Sequence, residues 1–286
     1  MTTYAVTGAT GQLGALVMEA LLGQDVNPAD IVAIVRNPAK AAGLFERGID
    51  VRQADYTEPD TLAAALAGVD NLLLISGSEV GRRVAQHSNV VAAAMAAGVR
   101  RIAYTSVLRA DTTALALAPE HKATEAIIRD SGIEFTFLRN GWYTENYTGQ
   151  LGQYLQAGAV VGAAGDAKVA AATRADFAAA AAIVLTGEGH GNQIYELGGV
   201  PFGFAELAAT VSDITGRVIP YRNASLAEYQ QGLIAAGLDE GTAGFFAALE
   251  ANTAAGDLDT DSEDLAKLLG RPATPLSEAV RAAHAA

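Results

Sequence analysis

Tyr4-Ala5-Val6-Thr7-Gly8-Ala9-Thr10-Gly11-Gln12-Leu13-Gly14 joins a short apolar run to a glycine cluster and then to a helical pattern reaching Leu22. A bare glycine pattern says little, but one placed between a strand and a helix is informative. Glycine permits positive φ in the tight turn and lets the backbone approach a pyrophosphate closely. The free amides and positive end of the following helix can then hold that anion. The plainer alternative is a glycine-rich turn with no ligand. The candidate contacts are Gly8, Ala9, Thr10, Gly11, Gln12 and Leu13.

Outward from this turn, short apolar runs alternate with helical stretches. Ile31–Val35 is continuously apolar, as a strand buried on both faces should be. A helix over Ala39–Arg47 precedes a short strand ending near Ala54-Asp55, and Thr61–Ala67 is helical with Gly68 as a stop. Strand Asn71–Ile75, helix Val80–Ala97, strand Arg101–Thr105, helix Pro119–Asp130 and strand Glu134–Leu138 continue the alternation. This is the pattern of a doubly wound, Rossmann-type α/β fold with a parallel sheet. After Arg139 the rhythm breaks. Tyr143–Gln156 reads as one helix, Ala159–Gly165 as a glycine-rich stretch and Arg174–Thr186 as an alanine-rich helix. Gln193–Leu197 reads as a seventh strand returning to the sheet. Helices Phe204–Thr215, Ala224–Gly237, Thr242–Ala251 and Ser262–Leu269 then form a smaller, mainly helical C-terminal lobe. The expected division is 1–150 with 171–198 for nucleotide binding, and 151–170 with 199–286 as a lobe closing over the sheet's carboxyl edge.

Half of the 286 residues are apolar and 18% are charged, enough for a large core and against disorder. There are no cysteines, which excludes disulfides, thiolate metal sites and a cysteine nucleophile, and fits a reducing cytoplasm. No apolar stretch reaches the roughly 18 residues of a membrane span, and the N-terminus has no basic leader. The net charge of −13 opposes nucleic-acid binding, since Arg82-Arg83 and Arg100-Arg101 are isolated pairs. The four histidines have no metal-like spacing. The expected partner is a small molecule; a homodimer is compatible with the sequence.

Strand two ends Val35-Arg36-Asn37, with Lys40 one turn later. A carboxylate there would select the free ribose 2′-hydroxyl of NAD, whereas a guanidinium can pair bidentately with a 2′-phosphate. Arg36 and Lys40 therefore favour NADPH; the alternative is an arginine merely solvated at a strand end.

The GxxGxxG spacing resembles the extended and atypical short-chain dehydrogenases/reductases. Such enzymes commonly use a tyrosine, a lysine four residues later and a serine on strand five. Ser106 matches the serine, but the lysine position falls on His121 and the tyrosine position on Leu117, and no YxxxK exists in the chain. Leucine cannot donate a proton, so ordinary alcohol–ketone chemistry is disfavoured. A quinone asks less, because hydride addition gives an aromatic quinolate able to take its proton from water. His121 could orient the substrate or deliver a proton; equally, it could cap or pack a helix start.

The stretches Gly8–Gly14, Val32–Lys40, Gln53–Tyr56, Leu72–Ser76, Ala103–Ser106, Leu138–Tyr143, Ala172–Asp176 and Leu269–Pro272 resemble the bacterial type 2 NAD(P)H:quinone oxidoreductases. These are NmrA-like atypical short-chain reductases, and the likeness spans nearly the full length. The resemblance implies direct reduction of quinones by NADPH, without flavin or metal. It implies the diphosphate on Gly8 to Leu13 and the 2′-phosphate near Arg36. Asp55 and Ser76-Gly77-Ser78 would border the adenosine, and Ser106 and Leu138-Arg139 would lie on the cofactor side. Asn140, Gly141, Trp142 and Tyr143 would flank the nicotinamide, with Arg174 nearby; Trp142 and Tyr143 could equally be core. Within this likeness Gly77 stands where serine is expected, which should loosen its turn. His121, Asn140 and Tyr143 are the candidate catalytic residues. The competing reading is a non-catalytic NADP(H)-binding redox sensor of the NmrA type, which the missing tyrosine also suits. A nucleotide-sugar epimerase is disfavoured, since that chemistry normally needs the tyrosine.

Overall fold

The computed structural model describes residues 1–286. The first compact unit comprises 1–111, 117–140 and 174–196. Its strands are β1 (Tyr4–Thr7), β2 (Ile31–Val35), β3 (Asp50–Gln53), β4 (Asn71–Leu74), β5 (Arg101–Val107), β6 (Glu134–Asn140) and β9 (Gln193–Leu197, whose last residue groups with the second unit). They form one sheet in the order β3-β2-β1-β4-β5-β6-β9. The pairs from β3 to β6 are parallel and in continuous register, Tyr4 lying beside both Ile31 and Asn71. The order reverses direction at β1, and that switch point is where an open α/β sheet leaves a crevice at its carboxyl edge.

The apolar strands are explained by helices on both faces. On one face Ala5, Val32, Ile34, Leu72, Leu74, Ile102, Tyr104 and Phe137 pack with Leu62, Val90, Ala94 and Ile128. Those last four belong to α3 (Pro59–Ala65), α4 (Arg83–Ala97) and α5 (Ala118–Asp130). On the other face α1 (Gln12–Gly23) packs against α8 (Arg174–Thr186), and α8 against β4, β5 and β6. The alanines of α8, Ala178, Ala180, Ala181 and Ala182, are all buried, and their small side chains allow a close approach. A short α2 (Ala42–Glu46) links β2 to β3.

The second unit comprises 112–116, 141–173 and 197–286. It holds α6 (Glu145–Thr148), α7 (Leu151–Ala157), α9 (Phe204–Thr215), α10 (Leu226–Ala235), α11 (Glu240–Ala254), α12 (Asp264–Leu269) and α13 (Leu276–Ala285). Two small two-stranded sheets accompany them: β7 (Val160–Gly162) with β11 (Tyr221–Asn223), and β8 (Lys168–Val169) with β10 (Phe202–Gly203). No helix is long and apolar enough to cross a membrane.

The elements depart from expectation in instructive places. Helix α4 starts at Arg83 rather than Val80, because the preceding segment is a loop bound by side chains of α4 and α5. Strands β5 and β6 each extend two residues beyond their expected ends, since Ser106 pairs with Arg139 and Val107 with Asn140. The single helix expected over Tyr143–Gln156 is two short ones, broken at Gly149-Gln150. The four small strands and α13 have no counterpart in the periodicity reading. Each strand is two or three residues long, too short for a period of two to register.

Candidate functional site

The glycine turn follows β1 at the switch point. Gly8 has φ of 61°, a left-handed conformation that strains any residue with a Cβ. Its carbonyl accepts from the Gly11 amide at 2.8 Å, and the Ala9 amide bonds to the Ile34 carbonyl on β2 at 3.3 Å. A Cβ on Gly14 would lie 2.2 Å from the Gly8 carbonyl oxygen, so the turn and first helical turn can nest only with glycine there. Gly11 caps α1 with no side-chain hydrogen bond, and no carboxylate sits in the first turn. The amides at the start of α1 are thus left for an anion, in the field of the helix's positive end.

Around this turn the ends of β2, β3 and β4 are tied to one another. The Gln53 amide donates to the Arg36 carbonyl at 3.2 Å, and the Tyr56 hydroxyl to the Ile75 carbonyl at 3.1 Å. The Ile75 amide donates to Thr7 Oγ1 and the Ser76 amide to Thr105 Oγ1. Gly8 to Leu13, Arg36, Lys40, Asp55 and Ser76 to Ser78 therefore all belong to the carboxyl edge of β1 to β4. Arg36 and Lys40 are exposed cations at this edge. Asp55 is held below the ordinary carboxylate range by the Thr57 amide and hydroxyl, then by the positive charge of Arg36 and Arg82. These residues suit a dinucleotide with a 2′-phosphate: a backbone cradle for the diphosphate and two basic side chains beyond β2.

Gly77 does not leave its turn loose. Its amide donates to His87 Nε2 at 3.0 Å, and its carbonyl accepts from Arg83 Nε at 2.8 Å. Arg83 also donates to Glu120 Oε2 at 2.8 Å, while the other Glu120 oxygen accepts from the Gly81 amide. Because Nε2 of His87 accepts, its proton sits on Nδ1 and points to Thr124 Oγ1, 3.0 Å away; that hydroxyl donates onward to the Glu120 carbonyl. Burial, then the charge of Arg83, pushes His87 down to about 3, so the ring is neutral at physiological pH.

His121 lies buried on α5, its Nδ1 2.8 Å from the Tyr104 hydroxyl. Burial, then the charge of Arg83, lowers it to about 3. It is an uncharged ring in a polar seam between the sheet and α5. Two of the expected cofactor residues, Ser106 and Arg139, also turn inward. The Ser106 hydroxyl donates to Glu125 Oε1 at 2.7 Å. Arg139 makes a paired contact with Glu125 at 3.0 and 2.8 Å and reaches Asp111 and Glu196 as well. Leu138 is fully buried. Asn140, at the end of β6, is different: its Oδ1 is buried and has no hydrogen-bond partner. An unpaired buried acceptor costs about 1–3 kcal/mol, and at the carboxyl edge of the sheet this one is open to a donor.

In the second unit the Gly141 amide donates to the Leu197 carbonyl at 2.7 Å, and the Trp142 carbonyl accepts from the Ala172 amide at 3.0 Å. Tyr143 pairs with Ala172 in an isolated bridge. Arg174 is the first residue of α8 in the first unit. Sequence reasoning missed Glu79, Arg82, Arg83, His87, Glu120 and Glu125. Their charges lie on α4, on α5 or in the loop before α4, where a helical pattern reads as a solvated face. The one available signal was Glu125 one turn beyond His121, on the side of α5 that faces the sheet.

This architecture is that of a dinucleotide-binding oxidoreductase, and the comparisons agree: a family model described as NAD(P)H-binding matches residues 8–188. The chain belongs to this NAD(P)H-binding family, within its NmrA-like, type 2 quinone oxidoreductase branch. It is 51% identical over 277 residues to quinone oxidoreductase 2 of Escherichia coli, covering 96% of each chain. The crystal structure of the E. coli NADPH-dependent quinone oxidoreductase complexed with NADPH superposes with a TM-score of 0.94, at 50% identity, covering 97% of this chain and 98% of that one. The Citrobacter sp. triphenylmethane reductase complexed with NADP(H) superposes with a TM-score of 0.93 at 43% identity, covering 98% and 100%.

Proposed function

We propose that this protein reduces quinones with NADPH by direct hydride transfer, without flavin or metal. The observation that carries the reading is the glycine turn at the switch point, with Arg36 and Lys40 beyond it, in a chain alike over its full length to a quinone oxidoreductase. NADPH, when bound, supplies the hydride. Gly8 to Leu13 hold the diphosphate by backbone amides, and Arg36 and Lys40 hold the 2′-phosphate. Asp55 and Ser76 to Ser78 border the adenosine. Asn140 offers its unpaired Oδ1 to a cofactor N–H, and Gly141, Trp142 and Tyr143 follow it directly in sequence beside the nicotinamide, with Arg174 on the cofactor side.

The residues also explain why the missing tyrosine and lysine are tolerated. A quinone that accepts a hydride becomes an aromatic quinolate, already stabilised, which takes its proton from water. His121 is uncharged near neutral pH and bonded to Tyr104, so in this reading it positions α5 against β5 rather than delivering a proton. Ser106 and Arg139 act through Glu125 to fix the ends of β5 and β6, and so the backbone that presents Asn140.

The test is NADPH oxidation by purified protein with and without a simple benzoquinone, with NADH and Arg36→Ala alongside. Quinone-dependent turnover should prefer NADPH, and Arg36→Ala should remove most of that preference, about tenfold for one charge-assisted contact. Tight NADPH binding with no turnover on any quinone would instead establish the non-catalytic sensor.

A further inference from the structure

The loop after β4 carries an arrangement that the cofactor reading leaves unused. Glu79 receives two hydrogen bonds and a longer ion pair: Arg82 Nη1 donates to its Oε2 at 3.3 Å and Gln86 Nε2 to the same oxygen at 3.1 Å, while Arg36 Nη1 lies 3.6 Å from its Oε1. Two guanidiniums from different parts of the chain, one after β2 and one before α4, thus converge on a single carboxylate. Their shared contact with Glu79 brings the two arginines to the same edge of the sheet. The loop bearing Glu79 is not adrift: Gly77 and Gly81 on either side of it are fixed by Arg83, His87 and Glu120. Glu79 is therefore presented to the arginines by a braced backbone.

A carboxylate held by a guanidinium pair is a chemical stand-in for a phosphate monoester, which takes the same donors with more charge and one more oxygen. We infer that Glu79 is an internal occupant of the 2′-phosphate seat, and that Arg82 is a second cation of that seat beside Arg36. The inference rests on the NADPH reading above. A 2′-phosphate binds by exchanging with Glu79 for the two arginines, whereas a nucleotide lacking that phosphate leaves the Glu79 contacts in place. The exchange has a cost: Glu79 offsets part of the charge of the two arginines and must give them up, so it holds the affinity for the 2′-phosphate below what the bare pair would reach. All three side chains are partly solvated, so the effect is modest and screened by salt.

The experiment is titration calorimetry of the protein with 2′,5′-ADP and with 5′-AMP, which differ only in the 2′-phosphate and are free of the nicotinamide and of turnover. It uses wild type, Glu79→Gln and Arg82→Ala at low and moderate salt. Glu79→Gln, which removes the competing charge, should bind 2′,5′-ADP about 3- to 10-fold more tightly and leave 5′-AMP nearly unchanged. Arg82→Ala should weaken 2′,5′-ADP by a similar factor, flatten its salt dependence and spare 5′-AMP. Unchanged or weaker 2′,5′-ADP binding by Glu79→Gln overturns the occupant role, and unchanged binding by Arg82→Ala removes Arg82 from the seat. Wild type that fails to prefer 2′,5′-ADP over 5′-AMP sinks the NADPH reading itself, a result distinct from either variant's failure.

Discussion

His87 and His121 sit in one buried polar seam with Tyr104, Tyr56 and Thr124, under the charge of Arg83, which Glu120 balances. Both rings are neutral in the fold because burial disfavours the imidazolium, their values falling to about 3. The sign of the consequence is fixed. Below about pH 6.5 the unfolded chain binds protons that the native state refuses, so each histidine withdraws up to about 1.4 kcal/mol of stability per pH unit. This loss runs from about pH 6.5 down toward the native value. Between pH 7 and pH 5 the protein should thus lose stability in urea titrations. His121→Gln, which keeps a hydrogen-bonding group for Tyr104, should shrink that loss by about 1–2 kcal/mol. An equal loss in variant and wild type would mean that the native His121 is already protonated at pH 5. His87, His121, Ser106 and Arg139 show how a polar residue in a nucleotide-binding fold can be spent on holding the backbone rather than on the ligand. Which of the two it does depends on what faces it, and Glu125, one turn beyond His121, is what faces Ser106 and Arg139.

At the level of elements, α5 is locked to β5 and β6 by Glu125, which takes the Ser106 hydroxyl and both arms of Arg139 while almost wholly buried. Arg139 sits above its ordinary range despite burial, because Glu125 and Glu196 outweigh the desolvation. Breaking such a pair from one side leaves a buried charge short of a partner. Glu125→Leu should cost about 2–4 kcal/mol in denaturant unfolding, with Asp111 and Glu196 limiting the damage. Adding Arg139→Met should recover part of that loss, since an apolar pair of similar volume can replace a buried ion pair. A double variant as unstable as the sum of the singles would show that the pair carries no mutual coupling. The strands and helices of this layer were legible because the apolar runs of β1, β2, β4 and β5 are covered on both faces. The loop before α4 was not, because Glu79, Val80, Gly81 and Arg82 form no helical turn once Glu120 captures the Gly81 amide.

For the molecule as a whole, a net charge of −13 means that an anionic nucleotide is held locally, against the field of the rest of the chain. In the function proposed above, the start of α1 and the exposed cations after β2 would supply that local attraction. A ligand bound only by the folded state stabilises it by about 2.7 kcal/mol at a hundred times its Kd, about 5 °C in Tm for a chain of this size. NADPH should therefore raise the calorimetric Tm by about that amount, NADH by less at equal concentration, and Arg36→Ala should bring the two together. A Tm indifferent to NADPH would contradict the cofactor reading at once.

The order of strands and helices, the parallel sheet and the glycine turn were set by local pattern. Continuous apolar strands, amphipathic helices and Gly8 and Gly14 each depend on neighbours close in sequence, and the expectation of NADPH was read from the residue type at Arg36. What the chain packs around its polar residues was decided only in three dimensions. That Gly77 is held by His87, that Ser106 and Arg139 share Glu125, and that Asn140 alone keeps an unpaired buried oxygen all depend on partners far away along the chain. A hydrogen bond or ion pair between distant residues leaves no period in a sequence, so the division of polar side chains between scaffold and site belongs to the tertiary structure.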